Sequence, residues 1–196
     1  MDEETFVAVL KKAIDAVERA GIPYATMGGI AATALGRHRY THDIDLFVKP
    51  EDAGRALDAL DEAGFKTDRT NDHWIYKGWM DDLCVDVIFR ARGDIALDDE
   101  MLARVTERDF HGVTLRVVPP EDLIVIKAIV HDEESPRHWY DALGTLTSNE
   151  IDWDYLLRRA VKGPRRVLAL LLYAASDDLL VSEAAIRELF AQVYPS

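Results

Sequence analysis

The segment 43–48, with the sequence DIDLFV, constrains the fold most, because acidic and hydrophobic positions alternate in its first half. A period of two is typical of a β-strand with one face in the core. The segment therefore predicts a strand whose Asp43 and Asp45 share the face opposite the core-facing side chains. Two like charges on one strand face repel each other unless a cation joins them. Taken alone, the pair is equally compatible with a solvated strand end.

A third carboxylate stands in the segment 83–89, LCVDVIF, where every residue except Asp86 is apolar. This pattern predicts a strand that is buried on both faces. A buried carboxylate is costly unless it is paired or bound to a metal ion. An aspartate neutralised by an arginine or by backbone amides is the alternative. Three carboxylates on neighbouring strands suit Mg²⁺, which prefers oxygen ligands and bridges substrate phosphates.

A glycine pair precedes the first two aspartates. Gly28 and Gly29 lie between a predicted strand at 23–27 and a predicted helix that ends near Gly36. Glycines at such a junction let the backbone approach a phosphate closely, with amide groups at the start of the helix. Ordinary turns also use glycine, so the pair indicates a phosphate site only in combination with the carboxylates.

In combination, these elements resemble the DNA polymerase β-like nucleotidyltransferase superfamily, in which Gly-Gly, a helix, Asp-x-Asp and a later Asp follow one another. The segment GGIAATALGRHRYTHDIDLFV is most similar to the small bacterial branch: the aminoglycoside and lincosamide nucleotidyltransferases and the AbiEii-type toxins. Their Arg-x-Thr-x-Asp approach to the aspartates is matched by Arg39, Thr41 and Asp43. The resemblance covers roughly residues 20–145.

The resemblance implies the roles of the acidic residues and the glycines. Asp43 and Asp45 would each bind two Mg²⁺ ions, for which Mn²⁺ is a substitute. Asp86 would bind the catalytic ion and assist the acceptor hydroxyl, so the three aspartates are the predicted catalytic and metal-binding residues. Gly28 and Gly29 would hold the terminal phosphates.

Three further nucleotide-binding residues are predicted, namely Arg39, Thr41 and Lys127. Lys127, in the segment EDLIVIKAIV, matches a helix lysine of the toxin-like members, although a surface lysine on an amphipathic helix is the alternative. A later Lys/Arg-Asp-x-x-Asp pattern of those members is met only in part by the segment from Arg137 to Asp141. His138 stands where an acid is usual.

The chain divides by pattern into an α/β (α+β) part, 1–118, and a helical subdomain, 119–196. The first part is expected to have the nucleotidyltransferase fold, with a mixed β-sheet flanked by helices. It alternates helical and strand patterns and includes a helix expected over 98–107 and a strand over 114–118. After Pro119-Pro120 only helices are predicted: 120–131, 136–147, 152–162, 164–176 and 182–193.

The composition limits the partners. The 196 residues carry a formal charge of −13, which disfavours a broad nucleic-acid surface. No apolar run is long enough to cross a membrane, and the single cysteine forms no internal disulfide, so a cytoplasmic protein is expected. One basic cluster stands out, either as a solvated helix end or as a local phosphate contact. Its members are Arg158, Arg159, Lys162, Arg165 and Arg166.

The sequence thus predicts a metal-dependent nucleotidyltransferase that transfers a nucleoside monophosphate, AMP from ATP, to an acceptor hydroxyl with the help of two Mg²⁺ ions. A small acceptor such as an antibiotic is favoured. The alternatives are a toxin-type enzyme that modifies tRNA or a protein, and a relative that binds nucleotide without turning it over.

Overall fold

The computed structural model describes residues 2–37 and 41–195 and groups the chain into two compact units. The first unit consists mainly of the chain up to Pro119, and the second mainly of the chain from Pro120 onward. Two short segments that precede Pro119, Leu35–Arg37 and Arg92–Ile95, belong to the second unit.

The described strands of the first unit form one mixed sheet with the order β3-β4-β5-β2-β1-β7-β6. The pairs β2–β5 and β1–β7 are parallel, and the other neighbouring pairs are antiparallel. The strands are β1 (Tyr24–Thr26), β2 (Asp43–Val48), β3 (Lys66–Asn71), β4 (Ile75–Met80), β5 (Leu83–Ile88), β6 (Thr106–Phe110) and β7 (Val113–Val117).

Helices flank this sheet. They are α1 (Glu3–Arg19), α2 (Gly28–Ala34), α3 (Ala53–Glu62), which follows a 3₁₀ turn at Pro50–Asp52, and α4 (Asp99–Ala103). Helix α1 begins where the side chain of Asp2 accepts a hydrogen bond from the Thr5 amide at 2.7 Å. Helix α3 packs on the sheet so closely that a Cβ at Gly78 would lie 3.3 Å from Leu60 Cδ1. The predicted α/β fold with a mixed sheet flanked by helices is confirmed.

The second unit is helical. Its helices are α5 (Pro120–Val130), α6 (Arg137–Ser148), α7 (Trp153–Ala160), α8 (Pro164–Ser176) and α9 (Glu183–Val193). Helix α5 is buried along almost its whole length, including its polar residues. The last helix begins where Ser182 accepts a hydrogen bond from the Ala185 amide. All five helices lie where the hydrophobic spacing predicts them, with ends that differ by at most two residues.

One predicted element is partly wrong. The helix expected over 98–107 ends at Ala103, and the chain then forms β6, which the sequence pattern did not reveal. Strand β6, with the sequence TERDF, is an exposed edge strand whose charged side chains leave no alternating apolar face. It pairs with β7 through a turn at His111 and Gly112, which have φ of +49° and +82°. Two positive φ angles in a two-residue loop are typical of a β-hairpin.

Candidate active site

The start of α2 lies directly against the second aspartate of β2. Gly28 has φ of +67°, and a Cβ built on it would lie 1.8 Å from Asp45 Oδ2. The Met27 amide donates a hydrogen bond to the Asp45 carbonyl oxygen at 3.0 Å, which fixes the two segments against each other. Any side chain at position 28 would therefore displace the Asp45 carboxylate. Glycine is required here by its conformation and by the close approach.

The three predicted carboxylates lie on one face of the sheet. In the parallel pairing of β2 with β5, Asp45 is the partner of Asp86 and Asp43 is the partner of Cys84. Partners across neighbouring strands point to the same face, so these four side chains form a two-by-two group. The opposite face is apolar, since Ile44, between the two β2 aspartates, is fully buried.

Strand β5 is less buried than the sequence suggests. Val85 and Val87 are buried, but Cys84 and Asp86 on the other face are only partly covered. The expectation of a strand buried on both faces is therefore wrong. The carboxylate lies at a partly open face of the sheet, where a ligand has access to it.

Lys77 is a site residue that sequence reasoning missed. It is the partner of Asp86 in the pairing of β4 with β5, and its Nζ lies 2.6 Å from Asp86 Oδ1. The side chains are 28% and 15% exposed. The same Oδ1 lies 3.1 Å from Cys84 Sγ. The available signal was a lone lysine inside the strand IYKGWM, but the sequence does not give the register that sets it opposite Asp86.

The protonation states follow from these contacts. Burial alone would lower the pKa of Lys77, but the hydrogen bond and charge of Asp86, with a contribution from Cys84, raise it above its ordinary value. Burial and the hydrogen bond to Asp86 raise the pKa of Cys84 to about 12. At neutral pH the site therefore has an ammonium group and an uncharged thiol beside Asp86. Because the thiolate is the nucleophilic form of cysteine, the raised pKa disfavours reaction at Cys84.

The residues fit a divalent cation by chemistry and by strand register. Asp43, Asp45 and Asp86 are oxygen donors on two adjacent strands, and the absence of a side chain at Gly28 lets the Asp45 carboxylate lie directly against the start of α2. In their present rotamers, no three acidic, histidine or cysteine side chains of the described residues are arranged to hold a metal ion. The metal role of these aspartates stays a prediction.

The other predicted nucleotide-binding residues are distributed over the molecule. Gly29 is buried in α2, and Thr41 is partly exposed just before β2. Arg39 lies outside the described residues. Lys127 belongs to the second unit.

Lys127 forms a buried ion pair. Its Nζ lies 3.0 Å from Asp141 Oδ2, and the two side chains are 5% and 0% exposed. His138 Nδ1 lies 3.4 Å from the same Nζ. Burial and the nearby charge of Lys127 lower the pKa of His138 to about 4, so its ring is neutral at neutral pH. The alternative of a surface lysine is wrong, and the nucleotide role of Lys127 stays a prediction.

The basic cluster is not simply a solvated helix end. Arg159 Nε lies 2.6 Å from Asp122 Oδ1, and that carboxylate is 2% exposed. Arg166 donates a hydrogen bond to the His131 carbonyl oxygen at 3.2 Å. At least part of this cluster therefore stabilises the second unit itself.

The sequence of the chain matches one protein family along most of its length. A family model described as "Uncharacterised nucleotidyltransferase" matches residues 1–177, which is most of the chain. The chain belongs to this nucleotidyltransferase family. The match runs through both units and includes the glycine pair and all three aspartates. The resemblance inferred from the sequence motifs is confirmed.

Solved structures support the same fold. The solution structure of the antibiotic-resistance factor ANT(2'')-Ia has a TM-score of 0.61 at 18% identity, covering 97% of this chain and 100% of that one. The crystal structure of ANT(2'')-Ia with adenylyl-2''-tobramycin has a TM-score of 0.58 at 20% identity, covering 89% and 99%. The lincomycin-bound lincosamide antibiotic adenylyltransferase LnuA has a TM-score of 0.52 at 12% identity, covering 76% and 99%. At these identities the likeness shows the fold alone.

No curated protein sequence matches this chain. Within residues 2–37 and 41–195, no helix has the length and apolar character that crossing a bilayer requires.

Proposed function

We propose that this protein transfers a nucleoside monophosphate, AMP from ATP, to a hydroxyl group of a small-molecule acceptor. The observation that carries the proposal is the placement of Asp43, Asp45 and Asp86 on one sheet face, with Asp45 against the side-chain-free Gly28. Like charges placed together at a partly open face indicate a site for cations and phosphates rather than a stabilising feature.

The donor and the acceptor class are inferred from the structural relatives. ANT(2'')-Ia is described with adenylyl-2''-tobramycin, and LnuA is described as a lincosamide antibiotic adenylyltransferase. Both names point to an adenylyl group and an antibiotic acceptor. We extend that chemistry to this chain as a proposal, with ATP as the donor and an antibiotic-like polyol or amino sugar as the acceptor.

Each site residue has a role in this proposal. Asp43 and Asp45 would hold the nucleotide through divalent cations, and Asp86 would bind the catalytic cation and face the acceptor hydroxyl. When bound, two Mg²⁺ ions would supply Lewis-acid activation of the hydroxyl and neutralise charge on the departing pyrophosphate. Gly28 and Gly29 give the terminal phosphates access to the backbone.

The bond changes balance without a further reactant. The acceptor oxygen forms a bond to the α-phosphorus of ATP, and the bond from that phosphorus to the bridging oxygen breaks in line. Pyrophosphate leaves with the electron pair of that bond. The proton of the acceptor hydroxyl passes to the Asp86 carboxylate.

The direct test uses nucleotides labelled at the α-phosphate. The protein is incubated with labelled ATP, CTP, GTP or UTP, Mg²⁺ and a panel of aminoglycosides, lincosamides, tRNA and proteins. We expect the label to move from ATP to a small molecule and to depend on Mg²⁺. Transfer to tRNA or protein would favour the toxin-type alternative. Nucleotide binding without transfer to any acceptor would indicate the non-catalytic alternative.

Aspartate variants test the assignment of the site. Asp86→Asn should lower transfer about 100-fold or more while nucleotide affinity is largely kept, because Asp86 serves the acceptor. Asp45→Asn should impair both binding and transfer. Asp68→Asn is the matched control. Asp68 is an exposed residue of β3, opposite Lys77 in the strand register, and this substitution changes the net charge by the same amount as Asp86→Asn.

These variants are read by calorimetry for nucleotide affinity and by label transfer for activity. Full transfer by a folded Asp86→Asn protein would refute the catalytic assignment of Asp86. An equal loss in Asp68→Asn would show that net charge, rather than the position of the carboxylate, determines activity.

A further inference from the structure

The Asp86 carboxylate lies between a negative and a positive neighbour. Its partner on β2 is Asp45, and its partner on β4 is Lys77. All three side chains point to the same face of the sheet. In the proposed function the Asp86 carboxylate binds a divalent cation. One of its two oxygens, however, already contacts the ammonium group of Lys77.

The contact is closer than an ordinary surface ion pair. Lys77 Nζ lies 2.6 Å from Asp86 Oδ1, and Cys84 Sγ approaches the same oxygen at 3.1 Å. Both side chains of the ion pair are more than two-thirds buried, so water screens their charges less than at a free surface. A divalent cation that reached this oxygen would meet the ammonium group at close range and would be repelled by it.

We propose that Lys77 is a resident counterion of Asp86, which a divalent cation must displace before it binds. In this role Lys77 neutralises the carboxylate while no metal ion is bound and raises the metal concentration that the enzyme requires. It is a positioning residue, because it acts through Asp86. The inference rests on the proposed function, since it assumes that Asp86 is a metal ligand.

Mn²⁺ binding to the nucleotide-free protein tests this role without measuring activity. Free Mn²⁺ is followed by electron paramagnetic resonance during titration of wild type, Lys77→Met and Lys77→Arg. We expect Lys77→Met to bind Mn²⁺ about fivefold more tightly, because a partly exposed ion pair no longer opposes the metal. Lys77→Arg keeps the positive charge and should stay within about twofold of wild type.

Two controls isolate the contact. Lys66→Met removes an exposed cation from the same sheet and should leave Mn²⁺ affinity unchanged, since Lys66 is the partner of Trp79 and not of Asp86. In an Asp86→Asn background, Lys77→Met should have no effect on Mn²⁺ affinity, because the ion pair between positions 77 and 86 is then already absent. Lys77→Gln replaces Lys77→Met if the methionine variant does not fold.

The outcomes separate this inference from the proposed function. Equal or weaker Mn²⁺ binding by Lys77→Met, with binding by wild type intact, overturns the counterion role alone. An equal increase in Mn²⁺ affinity in Lys66→Met also overturns the counterion role, because the increase would then result from the change in net charge. If neither wild type nor Lys77→Met binds Mn²⁺, the metal site of the proposed function fails, and the counterion role fails with it.

Discussion

The close approach of Gly28 to Asp45 gives a prediction with a matched control. Gly28 and Gly21 have nearly the same backbone angle, with φ of +67° and +64°. An alanine in this left-handed region costs about 1–2 kcal/mol at either position. A Cβ at Gly21 meets nothing within 4 Å, whereas a Cβ at Gly28 would lie 1.8 Å from Asp45 Oδ2. The two substitutions therefore share their backbone strain and differ in their effect on Asp45.

The difference can be estimated from that distance. The Asp45 carboxylate would have to retreat from 1.8 Å to an ordinary contact of about 3.5 Å, which requires a different side-chain rotamer or a shift of the backbone. Leaving a favoured rotamer costs about 1 kcal/mol. We therefore expect Gly28→Ala to lower the free energy of unfolding by about 2–3 kcal/mol, against about 1–2 kcal/mol for Gly21→Ala.

The functional difference should be larger than the difference in stability. Gly28→Ala moves a proposed metal ligand, so it should weaken binding of ATP with Mg²⁺ at least about tenfold, whereas Gly21→Ala should bind as wild type does. Urea denaturation measures the first quantity, and titration calorimetry on the folded proteins measures the second. Equal stability and equal affinity in the two variants would refute the claim that Gly28 keeps Asp45 in place.

Two further predictions concern the second unit. Because the folded state lowers the pKa of His138 from 6.5 to about 4, the stability that its neutral ring contributes is present above pH 6.5 and is lost as the pH falls toward 4. Allowing for its partial exposure, wild type should lose about 1 kcal/mol more than His138→Gln between pH 7 and pH 5 in urea denaturation; parallel losses would contradict this. The groups that act on its charge include Lys127, Arg137 and Asp141. Lys127→Met removes the ammonium group that pairs with the buried Asp141 and should cost about 3 kcal/mol, whereas adding Asp141→Leu should recover part of the loss. If adding Asp141→Leu lowers the free energy of unfolding further, the unpaired charge of Asp141 is not the cause of the loss in Lys127→Met.

The parts of the site that could be predicted from the sequence are those set within single segments. Alternation placed Asp43 and Asp45 on one strand face, and the glycine pair marked the entry to a helix. Both depend on spacing along the chain, which the sequence contains. The family resemblance implied that Asp86, on a later strand, joins Asp43 and Asp45 at one site. The register of β2 with β5 adds that Asp86 lies opposite Asp45.

The parts that could not be predicted depend on contacts between segments. Lys77 reaches Asp86 only through the register of β4 with β5, which neither strand specifies alone. The burial of Lys127 depends on Asp141, which lies on another helix. The edge strand β6 was missed for a different reason: its solvent-exposed position permits charged side chains that hide the alternation.

The arrangement of the basic residues bears on which acceptor this site serves. A protein that binds tRNA along its backbone needs cations free to contact phosphates. In the cluster between positions 158 and 166, most cations already have partners within the second unit, in a chain whose formal charge is −13. These contacts are Arg158 over the Tyr155 ring, Arg159 with Asp122, Lys162 with the Asp94 carbonyl oxygen and Arg166 with the His131 carbonyl oxygen. Together with the net charge, these contacts favour the small, cationic acceptor that we propose over a polyanion.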